Sequence, residues 1–291
     1  MNRILAFASA VAFVLGASAA AQETYTFNKD AVPQAGWKFL QSGASKMDNR
    51  SEVKQGEQVL QQQDQKQEDE YAGVVEILAV EGDEMTEGKI TFQTATSKGS
   101  EGEKNLDLAG KTVIAKGKEG ARTFTFADGS ALSADQQAFV KEHFDEEKKE
   151  GAPEPEDLFF PDHPVSVGQC WDVPMEDLVK VFAMGPDAVD QSKSSASVTF
   201  ESVSDQYGTK FATLRLSVSF AITKVEQITM DDAKMVVSGT IEVPIDGSVP
   251  YEKMGIEMDF NGAGSVEQGG QKITVTFQVQ NSQTGTKVPV E

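Results

Sequence analysis

Chemistry at neutral pH needs a base or a nucleophile, and this chain offers few of either. His143 and His163 are its two histidines and Cys170 its single cysteine. Cys170 and His163 would make a nucleophile and base pair, but they stand seven positions apart with no third orienting residue marked. His143 follows Phe139 and Val140 at helical spacing while Lys141, Glu142 and Asp145-Glu146-Glu147 keep that turn wet, so it reads as a partly packed surface histidine. His163, between Asp162 and Pro164, reads as a turn residue. No G-x-S-x-G elbow occurs, and no S-x-x-K in a supporting context. Phosphate-cradling glycine loops, CxxC knuckles and HExxH are absent. Carboxylate pairs of the glycosidase kind form in space and leave no spacing to read. Asp231-Asp232, Asp145 to Glu147 and Glu154 to Asp157 lack the alternating oxygen ligands and turn glycine of a calcium loop. The reading therefore assigns no catalytic residue, no metal ligand and no cofactor.

The elements that would position any site are mostly strands. Leu214, Leu216, Val218, Phe220 and Ile222 alternate with Arg215, Ser217, Ser219 and Thr223, and Ile273, Val275, Phe277 and Val279 repeat the pattern. Further strands are predicted at 74–80, 89–96, 111–116, 122–127, 197–203, 235–245 and 255–260, separated by turn clusters such as Glu81-Gly82-Asp83, Asp128-Gly129 and Asp246-Gly247. Residues 41–71 are polar enough for a loop, yet favour two exposed strands, since Gly56 counts against a helix. Pro244 inside a strand pattern suggests a sheet edge.

Only the middle departs from β. Ser133-Ala134-Asp135-Gln136 is a capping-box pattern that starts a helix over 134–147, anchored by Phe139, Val140 and Phe144. A Pro-rich link over 151–164 and a second short helix over 175–184 follow. The strands flanking this region look duplicated: Val75 to Val80, a turn and Lys89 to Phe92 match Val198 to Val203, a turn and Lys210 to Leu214. The expected architecture is mainly β, with antiparallel sheets in two related halves forming a sandwich or open barrel. An N-terminal β half spans 22–130, a helical and Pro-rich connector 131–190, and a C-terminal β half 191–291.

In the link, Leu158-Phe159-Phe160-Pro161 and then Pro164-Val165-Ser166-Val167-Gly168-Gln169-Cys170-Trp171 resemble the P-V-x-V-G-x-x-W segment of exported bacterial β-rich proteins of unknown function. Cys170 departs from the small or acidic residue expected at its place. The resemblance runs from about Val74 to the C-terminus and implies an envelope or secreted β protein without an assigned reaction. Physically the segment reads as a structural clamp that holds the two halves together: Gly168 permits a turn or close approach, Trp171 offers a large apolar side chain, and Pro161, Pro164 and Pro174 stiffen the connection. A ligand stacked on Trp171 is the sharper alternative. Cys170 is expected to be a small buried hydrophobe.

The N-terminus gives an address. Arg3, an apolar run from Ile4 to Leu15, and Ala17-Ser18-Ala19 or Ala19-Ala20-Ala21 form a signal-peptide pattern over 1–21. No cysteine stands at the cut to take a lipid, and no later apolar run is long enough to cross a bilayer, so an exported chain without a transmembrane anchor is expected. A formal net charge of -20 disfavours nucleic acid. The 17 phenylalanines against 2 tryptophans and 4 tyrosines favour apolar contacts over sugar-stacking platforms. Two function classes follow: a non-catalytic binding or carrier protein of the envelope that holds an apolar small molecule or lipid on a sheet face, or a module that engages another envelope protein. A hydrolase comes third.

Overall fold

The computed structural model describes residues 23–28, 32–145, 153, 155–182, 184–185, 187–206 and 208–290, so the segment read as a signal peptide lies outside the described residues. The strands are β1 (Thr24–Tyr25), β2 (Lys38–Gln55), β3 (Gln58–Glu81), β4 (Glu84–Gly99), β5 (Gly102–Lys104), β6 (Thr112–Lys116), β7 (Thr123–Phe126), β8 (Val165–Ser166), β9 (Cys170–Asp172), β10 (Ser195–Gln206), β11 (Thr209–Val225), β12 (Ile228–Pro244), β13 (Glu252–Gln268) and β14 (Gln271–Pro289). Among the described residues three α-helices lie between the halves: α1 (Ala134–Phe144), α2 (Pro155–Phe159) and α3 (Met175–Val181).

Among the described residues all pairings are antiparallel, and twelve strands make one sheet in the order β7-β6-β4-β3-β2-β14-β13-β12-β11-β10-β9, with β5 beside β4. The mainly β, antiparallel reading of the sequence therefore stands. The two hairpins whose sequences look alike are β3–β4 and β10–β11. Both halves belong to the same sheet, joined where β2 pairs with β14 from Phe39↔Pro289 to Gln55↔Ile273.

The polar stretch at 41–71 forms most of the β2–β3 hairpin. Its outward face carries cross-strand ion pairs, Lys46 with Glu68 at 2.8 Å and Lys38 with Glu76 at 3.2 Å, exposed contacts that solvent screens and that add little to stability. The inward face is apolar at both flanks. Under α1, Phe39, Val75, Ile90, Phe92 and Val113 pack with Phe139 and Val140. Under α2 and α3, Val198, Phe200, Leu214, Leu216, Val218 and Phe220 pack with Leu158, Leu178 and Val179. The N-terminal segment straps the two halves: Phe27 is buried in the second core, the Asn28 amide donates to the Ile245 carbonyl, and the Gly36 amide donates to the Ile77 carbonyl.

Four sequence expectations need correction. The first helix ends at Phe144 with Asp145 as its cap, short of Glu147, because Asp145 turns away to accept backbone amides of the 120–122 loop. The second ends at Val181, capped by Phe182, short of Met184. Pro244 lies on an interior strand; it is the last residue of β12, past the point where the β13 ladder stops at Glu242↔Lys253, so its missing N–H interrupts no bond there. Cys170 is exposed. On β9 the alternation turns Trp171 inward and leaves Cys170 and Asp172 outward.

The Pro-rich segment fastens the connector to the C-terminal half. Val165 and Ser166 are buried and pair with β1, and the Gly168 amide donates to the Phe200 carbonyl at 2.7 Å. Trp171 Nε1 donates to the Phe159 carbonyl at 3.2 Å, tying β9 to α2 at the sheet's outer margin, while the seam between halves runs along β2 and β14. Gly168 has φ +90°, a conformation that costs other residues about 1–3 kcal/mol. Gly168→Ala is expected to lower stability by that amount in denaturant unfolding. Gly255→Ala, at a strand position with open space around the added carbon, should stay within about 1 kcal/mol of the parent.

Candidate functional site

The inward face changes character at the seam. Following the register from β3 through β2 to β14, Ile77 and Val75 give way to Gly73, Tyr71, Asp69 and Gln67, which sit across from Gln41, Gly43, Ser45 and Met47. These in turn face Lys287, Gly285, Gln283 and Asn281. A polar stripe thus separates the two apolar flanks. Gly43 makes room for it: a Cβ there would lie 2.7 Å from the Tyr71 ring, so the ring rests directly on the β2 backbone.

A trough runs along this seam. Its apolar end is a cleft of about 340 Å³ between Trp37, Phe39 and Ile77 of the N-terminal half and Ile241, Val243, Val249, Pro250 and Tyr251 of the C-terminal half, with Phe159 and Phe160 of the connector beside them. Lys287 and Glu252 also line the cleft, joined by a 2.8 Å ion pair. Phe39, Ile77 and Lys287 are shared with a second space of about 230 Å³ beneath the end of α1. Beyond lies a polar chamber of about 90 Å³ lined by Gln41, Ser45, Tyr71, Glu142, His143, Gln283 and Lys287.

His143 marks the chamber. It is not a surface histidine: its side chain is 8% exposed, with ring centroids of Tyr71 and Phe139 each 4.6 Å away. Helical spacing from Phe139 carries it inward. Nε2 lies 3.8 Å from Asp69 Oδ2, and among the described residues neither Nε2 nor Asp69 Oδ1 has a hydrogen-bond partner. Gln67 Nε2 donates to Asp69 Oδ2 at 2.7 Å. Burial holds the imidazole below its ordinary pKa, against the opposing pull of Glu142 and Asp69, so the neutral ring presents a lone pair at neutral pH.

The end of α1 is fixed by a second buried network. Asp145 accepts the Gly120 amide at 2.7 Å and the Arg122 amide at 3.2 Å, while the Arg122 guanidinium donates to the carbonyls of Phe144 and Met85. Arg122 and Asp145 are both nearly buried, with side chains 10% and 0% exposed.

Of the residues singled out from sequence, the trough uses His143 and leaves His163 exposed in the link. Trp171, the ligand-stacking candidate, packs against α2 outside the cleft, and Trp37 lines the cleft instead. Pro161 is buried, whereas Pro164 and Gly168 are exposed, Gly168 in a turn. Sequence reasoning missed Asp69 and Tyr71. The usable signal was the period-two face of Ile77 and Val75, which continues through Gly73 to Tyr71 and Asp69 and so points a carboxylate inward. A comparison with protein-family models finds no match, and a comparison with curated proteins finds no significant one.

Two outcomes are expected. Arg122→Ala leaves Asp145 buried without its cation and should cost about 3 kcal/mol in thermal or denaturant unfolding. Cys170 should react with a thiol reagent as completely in the native protein as in denaturant, and Cys170→Ser should shift stability by no more than about 0.5 kcal/mol.

Proposed function

We propose that the protein is exported and acts, without catalysing a reaction, as a binding or carrier protein for an amphipathic molecule. An apolar chain would occupy the cleft and a polar head would lie toward Lys287 and Gln41. The observation that carries this reading is the cleft itself: a concave, aromatic and aliphatic space bounded by both halves, with a few polar groups at one side. Its volume of about 340 Å³ falls at the lower end of the usual range for small-molecule sites, which suits one chain better than several. Among the described residues no helix is long and apolar enough to cross a membrane.

A protein-interaction role has one observation in its favour, the adjacent Val59 and Leu60, 46% and 48% exposed near the start of β3. Such a patch is small beside the cleft.

Trp37 and Trp171 are the two tryptophans, so a Trp171→Phe background leaves Trp37 as the reporter in the cleft. Titration with a brominated fatty acid is expected to quench Trp37 fluorescence saturably. Val249→Glu, which places a charge at the cleft wall, should weaken that binding at least about tenfold. Quenching that never saturates, or an unchanged affinity in Val249→Glu, refutes the reading. Mass spectrometry of protein purified from its own host should find a lipid-like molecule, and a stoichiometric protein partner in its place favours the interaction role.

A further inference from the structure

The polar end of the trough contains a feature that holding an apolar chain leaves unused. Asp69 is 3% exposed, which makes it one of the most buried charged residues described. An ionised carboxylate removed from water is costly unless it is paired or bound to a cation. Yet among the described residues Oδ1 has no hydrogen-bond partner, and the neighbouring His143 Nε2 has none either. The gap of 3.8 Å between Nε2 and Oδ2 is too long for a hydrogen bond. Glu142, one residue before His143 on α1, brings a second carboxylate, and the three ligand atoms all lie within 4.8 Å of one another.

We propose that Asp69, Glu142 and His143 form a binding site for a first-row divalent cation of the zinc type. One imidazole nitrogen and two carboxylate oxygens suit such an ion better than magnesium or calcium, whose sites are built from oxygen. Bond lengths near 2.0–2.2 Å require the donors to lie about 3–4 Å apart. The His143 and Asp69 atoms already meet that, and the exposed Glu142 carboxylate needs only a small swing to close on them. The surroundings fit a held ligand set. Tyr71 and Phe139 pack the imidazole from two sides, and Gln67 fixes one oxygen of Asp69, the outer support that orients ligands in metal sites. Glu142 and His143 line the polar chamber, so open coordination positions face its contents. The ion would tie α1 to β3 and place a positive charge at the polar end of the trough.

The test uses the full mature chain, stripped with a chelator and titrated with zinc chloride by calorimetry. Cobalt(II) serves as a spectroscopic stand-in whose visible bands report nitrogen and oxygen ligation. One equivalent of zinc should bind, and the unfolding temperature should rise with zinc concentration, as it must for a ligand of the folded state. Asp69→Asn and His143→Gln should each weaken binding by about a hundredfold or more. Glu142→Gln, at an exposed position that threatens no packing, should weaken it at least about tenfold, and His163→Gln should leave it unchanged. Absence of zinc binding by the parent overturns the proposal and leaves the gap to water. So does an unchanged affinity in Glu142→Gln together with a folded His143→Gln, which would assign any bound zinc to surface carboxylates.

Discussion

The pairing of β2 with β14 is the constraint on which the rest of the molecule depends. It joins strands from opposite ends of the described chain, so forming it closes a long loop, at a cost in loop-closure entropy that grows slowly with length. Without it the N-terminal hairpins and the C-terminal meander would be separate sheets, each with a long unpaired edge. With it the outermost strands β7 and β9 are short. The trough exists for the same reason, since Phe39 and Gln41 meet Lys287 and Glu252 only across that seam.

The seam is also where the inward face stops being apolar. On either side, α1 or the α2 and α3 layer covers rows of Val, Leu and Phe, and those rows supply most of the buried apolar area. Between them the covering layers part and the face carries Gln, Ser, Gly and a buried acid. An apolar stripe in that position would have drawn the two covering layers together. A polar one leaves them apart and the space between them open, with an apolar end at the strap and connector and a polar end at the tip of α1.

Two kinds of fixing hold the polar end in shape. Packing is one: the Tyr71 ring lies on Gly43, and His143 lies between Tyr71 and Phe139. The buried Arg122 and Asp145 network is the other, tying the last turn of α1 to the β6–β7 loop. A helix terminus held this firmly can present neighbouring side chains such as Glu142 and His143 at a defined depth. That is a stricter requirement than the apolar cleft imposes.

What the sequence determined by itself was local. Alternation of Leu214 to Ile222 and of Ile273 to Val279 specified strands, and Ser133 with Gln136 specified a capped helix start, because these patterns depend on the period of one element and on groups within one turn. Tertiary structure decided everything that depends on which elements become neighbours. It turned Cys170 outward on β9, put Pro244 on an interior strand, and set Trp171 at the sheet margin, where it does not clamp the two halves together. It also gave Asp69 its meaning. In the chain Asp69 is one of many acids in a polar run. Only the joint register of β2, β3 and β14, with α1 laid across them, buries its carboxylate beside His143, because contact between residues distant in sequence is set by pairing and packing, on which spacing along the chain carries no information.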